Sequence, residues 1–134
     1  MTSKKARPVR EGDPDPRINL YRSDMAAESL RPIFAADRYV PGALHQIAMA
    51  VAPSRAEGHP NARLGSEVLF GETVAVYETK DDWAWIQATL DDYVGYVPSS
   101  CLGEALSAAP VITHNVAVLS SFVFPEPDLK TSPL

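Results

Sequence analysis

The stretch from Val68 to Leu102 reads VLFGETVAVYETKDDWAWIQATLDDYVGYVPSSCL. Its apolar residues recur at every second position, in runs of four to eight broken by Asp81-Asp82 and Asp91-Asp92. A period of two buries one face of each strand, and paired acidic residues at the breaks suit tight turns, so the runs fold back on one another as hairpins. Val74 and Val76 share one face of the first run. Ala84, Ile86, Ala88 and Leu90 share one face of the second, with Trp83, Trp85, Gln87 and Thr89 opposite. Tyr93 to Val97 supplies a short further strand. Pro98-Ser99-Ser100 leaves room for one 3₁₀ turn before Cys101-Leu102 re-enter the core. A small antiparallel β-barrel follows, built for binding.

Upstream of this block, Gln46 to Ala52 alternates with Ile47, Met49 and Val51 on one face and predicts the first barrel strand. Pro53 to Leu64 is polar and rich in turn formers, including Gly58-His59-Pro60-Asn61, and predicts a long loop of the kind that carries recognition. Before the Pro41-Gly42 turn lies an arm, 1–41. Within it Asp24 to Leu30 predicts a short helix, with Asp24 as N-cap and Arg31-Pro32 as the stop. Two turns of helix are not stable alone, so Met25 and Leu30 must rest on something else. Of the 12 prolines, those at 8, 14, 16, 32, 41, 125, 127 and 133 flank the barrel block and mark extended segments.

Past the barrel, residues 42–103, a small-residue linker runs from Gly103 to Pro110. Val116 to Leu119 and then Phe122-Val123-Phe124-Pro125 restart the strand-and-loop pattern seen at Ala48 to Leu64, each loop returning to a leucine, Leu64 and Leu134. Segment 104–134 therefore predicts the opening strand of a second barrel that this chain does not complete. A lone strand of that kind leaves its apolar face and its edge without partners.

Composition narrows the function. A net charge of −5 gives no electrostatic basis for gripping phosphates, so nucleic acid is not an expected partner. Lys4, Lys5, Arg7 and Arg10 are followed directly by Glu11, Asp13 and Asp15, which reads as a solvated tail. No apolar run follows the first five residues, so neither a secretory signal nor a membrane anchor is expected, and a cytoplasmic location is. Cys101, the single cysteine, has no cation, base or helix start beside it in sequence to activate a thiolate, and reads as a core residue. His45, His59 and His114 lack metal-ligand spacing. No metal and no cofactor are expected.

Three ordered blocks carry a resemblance: Leu69-Phe70-Gly71-Glu72, then Trp83-Ala84-Trp85-Ile86, then Tyr93-Val94-Gly95-Tyr96-Val97-Pro98. Together they resemble the bacterial SH3-like domain at the N-terminus of NlpC/P60-type cysteine peptidases. Thr113-His114-Asn115-Val116 and the segment from Phe122 to Lys130 look like the start of that family's second SH3-like domain. The resemblance implies a mainly β fold: an SH3-like β-barrel with an N-terminal arm and short helix, plus the first strand of a truncated second barrel.

Functionally, the resemblance implies the non-catalytic, substrate-recognition part of a peptidase that cuts cell-wall muropeptides between γ-D-glutamyl and a diamino acid. The family's Asp-Cys-Ser-Gly nucleophile motif does not occur in this chain, so no catalysis is expected from it, and a downstream NlpC/P60 catalytic domain is the implied partner. By the same likeness Glu72 and Tyr93 fall where the family reads the free amino end of the peptide, with Trp85 and Tyr96 as further contacts. A carboxylate can pair with an ammonium, and a phenol can hydrogen-bond while its ring packs on a small side chain. Asp92 departs from the family, which commonly has glycine before that tyrosine. The alternative expectation is a stand-alone adaptor whose aromatic face of Trp83, Trp85, Tyr93 and Tyr96 binds a peptide or cell-wall polymer.

Overall fold

The computed structural model describes residues 9–119, 121–128, 130, 132 and 133. Lys4, Lys5 and Arg7 of the expected solvated tail, and Leu129 and Leu134 of the C-terminal pattern, lie outside the described residues. Two sheets form. A small one pairs β1 (Met25–Ala27) with β2 (Arg38–Val40) in parallel. The other contains β3 (Ala43–Ile47), β4 (Val51–Arg55), β5 (Leu64–Leu69), β6 (Thr73–Lys80), β7 (Trp83–Ala88), β8 (Val94–Pro98) and β9 (Leu102–Ala105), ordered β5-β4-β8-β7-β6-β3-β9 with every pairing antiparallel.

That order forces the sheet to curl. Between β3 and β4 lie four inter-strand spacings, about 19 Å if the sheet were flat. Ile47 and Val51 are four residue steps apart, a reach of about 14 Å at most. The chain can satisfy both only by closing into a barrel. Hydrogen bonds seal the junction: Ala48 N–H donates to the Cys101 carbonyl, Gly71 N–H to Ile47 and Phe70 N–H to Ala50. Inside lie Ile47, Ala52, Val68, Val74, Val76, Ala84, Ile86, Val97 and Cys101. The 3₁₀ turn expected after β8 is present at Ser99–Cys101.

The outer face of β6, β7 and β8 is apolar too. Leu20, Met25, Ala26, Ala27, Leu30 and Phe34 of the arm pack there with Trp85, alongside Tyr77, Val94 and Tyr96. The arm is stitched on through backbone, Val94 N–H donating to Arg17 (2.8 Å), and through the Gln87 amide, which donates to the Ile18 carbonyl (2.9 Å).

Five expectations are corrected. The helix at Asp24–Leu30 is strand β1 followed by a single 3₁₀ turn, Glu28–Leu30. Met25, Ala26 and Ala27 are buried in succession, which a two-turn helix with one apolar face cannot achieve, and the Asp24 carboxylate binds Arg22 instead of capping. The single strand Gln46–Ala52 is two strands separated by a bend: Ile47 is 1% exposed, but Met49 and Val51 are 51% and 44% exposed, and Ala52 faces the core. The corner required by closure changes which face the alternation serves. Strand β4 then carries Pro53, so the loop shrinks to residues 56–63. Val116 to Leu119 form no strand: β9 pairing ends with Leu106 N–H on Leu44, and among the described residues no strand pairs with the chain beyond it. Leu90 lies past the end of β7 and is 81% exposed.

Two turn positions carry local strain. Asp81 and Asp82, the two-residue connection of β6 to β7, have φ of 52° and 67°, the primed turn that matches strand twist but favours Asn and Gly. Gly95 is required by close approach: a Cβ there would collide with Ser54 Oγ of β4. Asp81→Asn with Asp82→Gly is expected to add about 1 kcal/mol, raising Tm by about 3–5 °C in thermal unfolding. Gly95→Ala should cost about 2–3 kcal/mol, part of which Ser54→Ala in the same chain restores; an unchanged denaturation midpoint for Gly95→Ala would contradict the collision.

Candidate functional site

Strand pairing puts Trp85 opposite Tyr96, and their rings stack at 5.9 Å. On the other side of β7 a register shift between Val76 and Glu78 sets Glu78 opposite Trp85. Strict alternation from Val74 and Val76 would have aimed Glu78 into the barrel; the bulge turns it outward. The arm then lays Arg22 on this surface. Its guanidinium sits 4.3 Å from the Trp85 ring centroid and donates twice to Glu78 (2.9 Å each), to both Asp24 oxygens (2.9 and 3.1 Å) and to the Tyr96 hydroxyl (3.1 Å).

Electrostatics follow from that geometry. Burial works against the Arg22 charge, yet the hydrogen bonds to Glu78, Asp24 and Tyr96 outweigh it and raise its pKa. The hydrogen bonds from Arg22 hold Glu78 below the ordinary carboxylate value. Asp24 is also lowered, its burial being overcome by the same guanidinium. Burial raises Tyr96. Trp85 is left 4% exposed, so the arm stands between it and any ligand. Arg22 and Glu78 were not singled out in the sequence, and Asp24 was read only as a helix N-cap; Arg22 and Glu78 are 56 residues apart, and the bulge turns Glu78 toward the arm.

Glu72 and Tyr93 occupy the rim. Glu72 closes the turn between β5 and β6, its Oε2 accepting the Leu69 N–H (2.6 Å) while its own N–H donates back to the Leu69 carbonyl. Oε1 has no partner among the described residues. Tyr93 is half-buried in the turn between β7 and β8, its N–H donating to Asp91 Oδ1 (3.1 Å). Gly65 lies under its ring, since a Cβ there would come within 3.2 Å of both Cε1 and the hydroxyl oxygen. Asp92 has φ 61°, the left-handed conformation that glycine favours, in the turn that leads into Tyr93. Trp83, likewise half-buried, packs against Gly58 in the loop between β4 and β5. Glu72 and Tyr93 stand on separate turns with no hydrogen bond between them, and Tyr96 and Trp85 form a third group under the arm.

Other reactive side chains are engaged elsewhere. Cys101 is buried and burial raises its pKa, which disfavours a thiolate. His45 Nδ1 meets the Gly103 carbonyl (2.9 Å) and His59 Nε2 meets Glu57 (3.0 Å). No group of three or more His, Cys, Asp or Glu among the described residues is placed to hold a metal ion. A shallow cleft of about 430 Å³ opens in the arm, lined by Arg10, Glu11, Asp13, Ser23, Ile33 and Phe34, away from Glu72 and Tyr93.

Residues 55–102 match the family model of the bacterial dipeptidyl-peptidase SH3 domain. The match runs from the end of β4 through the 3₁₀ turn and, with the barrel around it, supports a bacterial SH3-like domain over that span. The chain matches none of the curated proteins and none of the solved structures with which it was compared.

The Arg22 network makes a specific prediction. Arg22→Ala is expected to cost about 2–4 kcal/mol in urea unfolding, the loss for a charge cluster still partly open to water. Because Glu78 and Asp24 are depressed in the fold, the stability they confer is complete above their ordinary values of 4.5 and 3.8 and is lost as pH falls through the lower folded values. Glu78→Gln should flatten that acid limb. An acid limb as steep as in the unmodified chain would show that Glu78 does not contribute to it.

Proposed function

We propose that this chain is the non-catalytic substrate-recognition region of an NlpC/P60-type peptidase acting on cell-wall muropeptides. The observation that carries the proposal is the match of residues 55–102 to the SH3 domain of bacterial dipeptidyl-peptidases. Both rim residues lie inside that span. The ligand is a short peptide with a free amino end, such as L-Ala-γ-D-Glu-diamino acid. Glu72 Oε1 pairs with its ammonium, and the Tyr93 hydroxyl supplies a hydrogen bond while its ring packs on the alanine methyl.

Several features support this division of labour. Glu72 keeps its turn with one oxygen and offers the other. Tyr93 is held from behind by Gly65 and from below by the Asp91 bond, so its hydroxyl is presented with little freedom left to lose on binding. Trp85 and Tyr96 are held by Arg22 and act as the floor of the domain, leaving ligand contact to the rim. The same proposal makes the chain beyond β9 a linker and the opening of a second SH3-like barrel, and assigns hydrolysis to a separate NlpC/P60 catalytic domain, in the cytoplasm.

Titration of the ¹⁵N-labelled chain with L-Ala-γ-D-Glu-L-Lys tests the reading. Amide shifts are expected at residues 69–72 and 91–94, and N-acetylating the peptide should abolish them. Glu72→Gln retains an oxygen for Leu69 and Tyr93→Phe retains the ring on Gly65, so each should fold and bind about tenfold more weakly. Equal shifts with free and acetylated peptide would overturn the ammonium assignment, and release of L-Ala-γ-D-Glu by the pure chain would overturn its non-catalytic role.

A further inference from the structure

Two arginines of the arm each bind an aspartate two residues away, but only one of them is fully occupied. The Arg22 guanidinium is a two-edged fork: Nε and Nη2 donate to Asp24, and Nη1 and Nη2 donate to Glu78. Arg17 uses its first edge in the same way, with Nε on both Asp15 oxygens (3.1 Å each) and Nη2 on Oδ2 (2.7 Å). Its second edge is open. Nη1 has no hydrogen-bond partner among the described residues, and the side chain is 70% exposed.

The arm fixes that open edge before anything binds. Asp15 lies between Pro14 and Pro16, whose rings set φ. Arg17 N–H donates to Asp15 Oδ1 (2.9 Å) and the Asn19 amide donates to the Asp15 carbonyl (2.9 Å), so the carboxylate is locked to this turn and the guanidinium to the carboxylate. The turn in its place is tied to the one that carries Tyr93. Val94 N–H, next after Tyr93, donates to the Arg17 carbonyl (2.8 Å), and the Gln87 amide bridges the Ile18 carbonyl (2.9 Å) and the Asp92 carbonyl (3.0 Å). The hydrogen bond to Asp15 raises the Arg17 pKa, and Tyr93 is close enough to add to the rise. Arg31 is also paired on one edge, with Glu28, but its guanidinium lies over the Tyr39 ring and makes no bond to the Tyr93 turn among the described residues.

We infer that the open edge of Arg17 takes a carboxylate of the bound peptide, the α-carboxylate that a γ-linked glutamyl residue leaves free. The inference rests on the muropeptide reading and adds to it the group that reads the second residue. In L-Ala-γ-D-Glu-diamino acid this carboxylate follows the alanine by one peptide bond and lies about 6 Å from the ammonium in an extended chain. A peptide whose alanine sits on the Tyr93 ring brings it toward the arm turn anchored at Val94. The fork suits it, because two parallel N–H groups match two carboxylate oxygens, and Arg22 shows within this chain that one guanidinium holds two carboxylates at once. An amide in its place presents one oxygen and an NH₂ group that opposes the fork. Besides covering Trp85, the arm thus supplies a wall of the peptide site.

Titrations of the ¹⁵N-labelled chain with L-Ala-γ-D-Glu-L-Lys and with L-Ala-D-isoglutaminyl-L-Lys, which differ only in that carboxylate, test it. The unmodified chain should bind the glutamyl peptide about tenfold more tightly, and the Arg17 Nε–H resonance should shift as it binds. Arg17→Gln should remove the preference, both peptides binding at the level of the amidated one. Its urea midpoint should stay unchanged, since the carbonyl that bonds Val94 is retained and the ion pair is exposed. Arg17→Lys keeps the charge without the fork and should keep only part of the preference, whereas Arg31→Gln should leave it intact. Equal affinity of the unmodified chain for the two peptides, or a preference that survives Arg17→Gln, overturns this inference alone so long as N-acetylation still abolishes binding. No binding of either peptide, or binding indifferent to N-acetylation, overturns the muropeptide reading together with it.

Discussion

Trp85 sets the requirement that organises this molecule. Its neighbours Ala84 and Ile86 point into the barrel, so the indole must point out, and an outward tryptophan on a central strand needs cover. The barrel cannot supply it. The arm does, with Leu20, Met25 and Phe34 as the apolar part and Arg22 as the part that faces the ring. Once a guanidinium is placed over the indole it needs acceptors, and the bulge in β6 provides one by turning Glu78 outward. The central strands therefore carry two cores, one on each face.

Much of the barrel was legible in the sequence because its signals are local. Val74 and Val76, Ala84 and Ile86, the Asp81-Asp82 turn and the Gly95-to-Leu102 ending each declare themselves within a few residues, and all are where the alternation put them. The failures have one origin. Ile47, Met49 and Val51 look like one face of one strand, but closure demands a corner between them. Asp24 to Leu30 looks like a helix, but burial on more than one side decides for β1. Val116 to Leu119 looks like a strand, but a strand is a relation between two segments, and among the described residues none pairs with it. Each error assigned to a short window what only distant chain settles.

For the candidate site the same distinction holds. Glu72 and Tyr93 were picked out by resemblance, and the structure puts both at the rim on fixed turns. Asp92 is instructive, since it stands where the resembled family commonly has glycine and adopts a left-handed backbone at some conformational cost. Trp85 and Tyr96 were further candidates for aromatic contact in the sequence. Nothing within the barrel block reveals that Arg22, 63 residues before Trp85, will occupy them.

Why the arm should take the aromatic face follows from size. A barrel of about 60 residues buries only about 60% of the surface its unfolded chain exposes, which leaves it marginal. Most of its interior is small: alanine at 52 and 84, valine at 68, 74, 76 and 97. Adding the arm supplies a leucine, a methionine and a phenylalanine against Trp85 and thickens the protein to three layers. The consequence for function is geometric. An aromatic surface that has become core is closed to solvent, whereas Glu72 and Tyr93 stay on turns, each held by a turn hydrogen bond and Tyr93 also by its ring over Gly65. Groups fixed in this way reach outward without costing the domain its stability, and under the proposed function they would be the ones to meet the end of a small peptide.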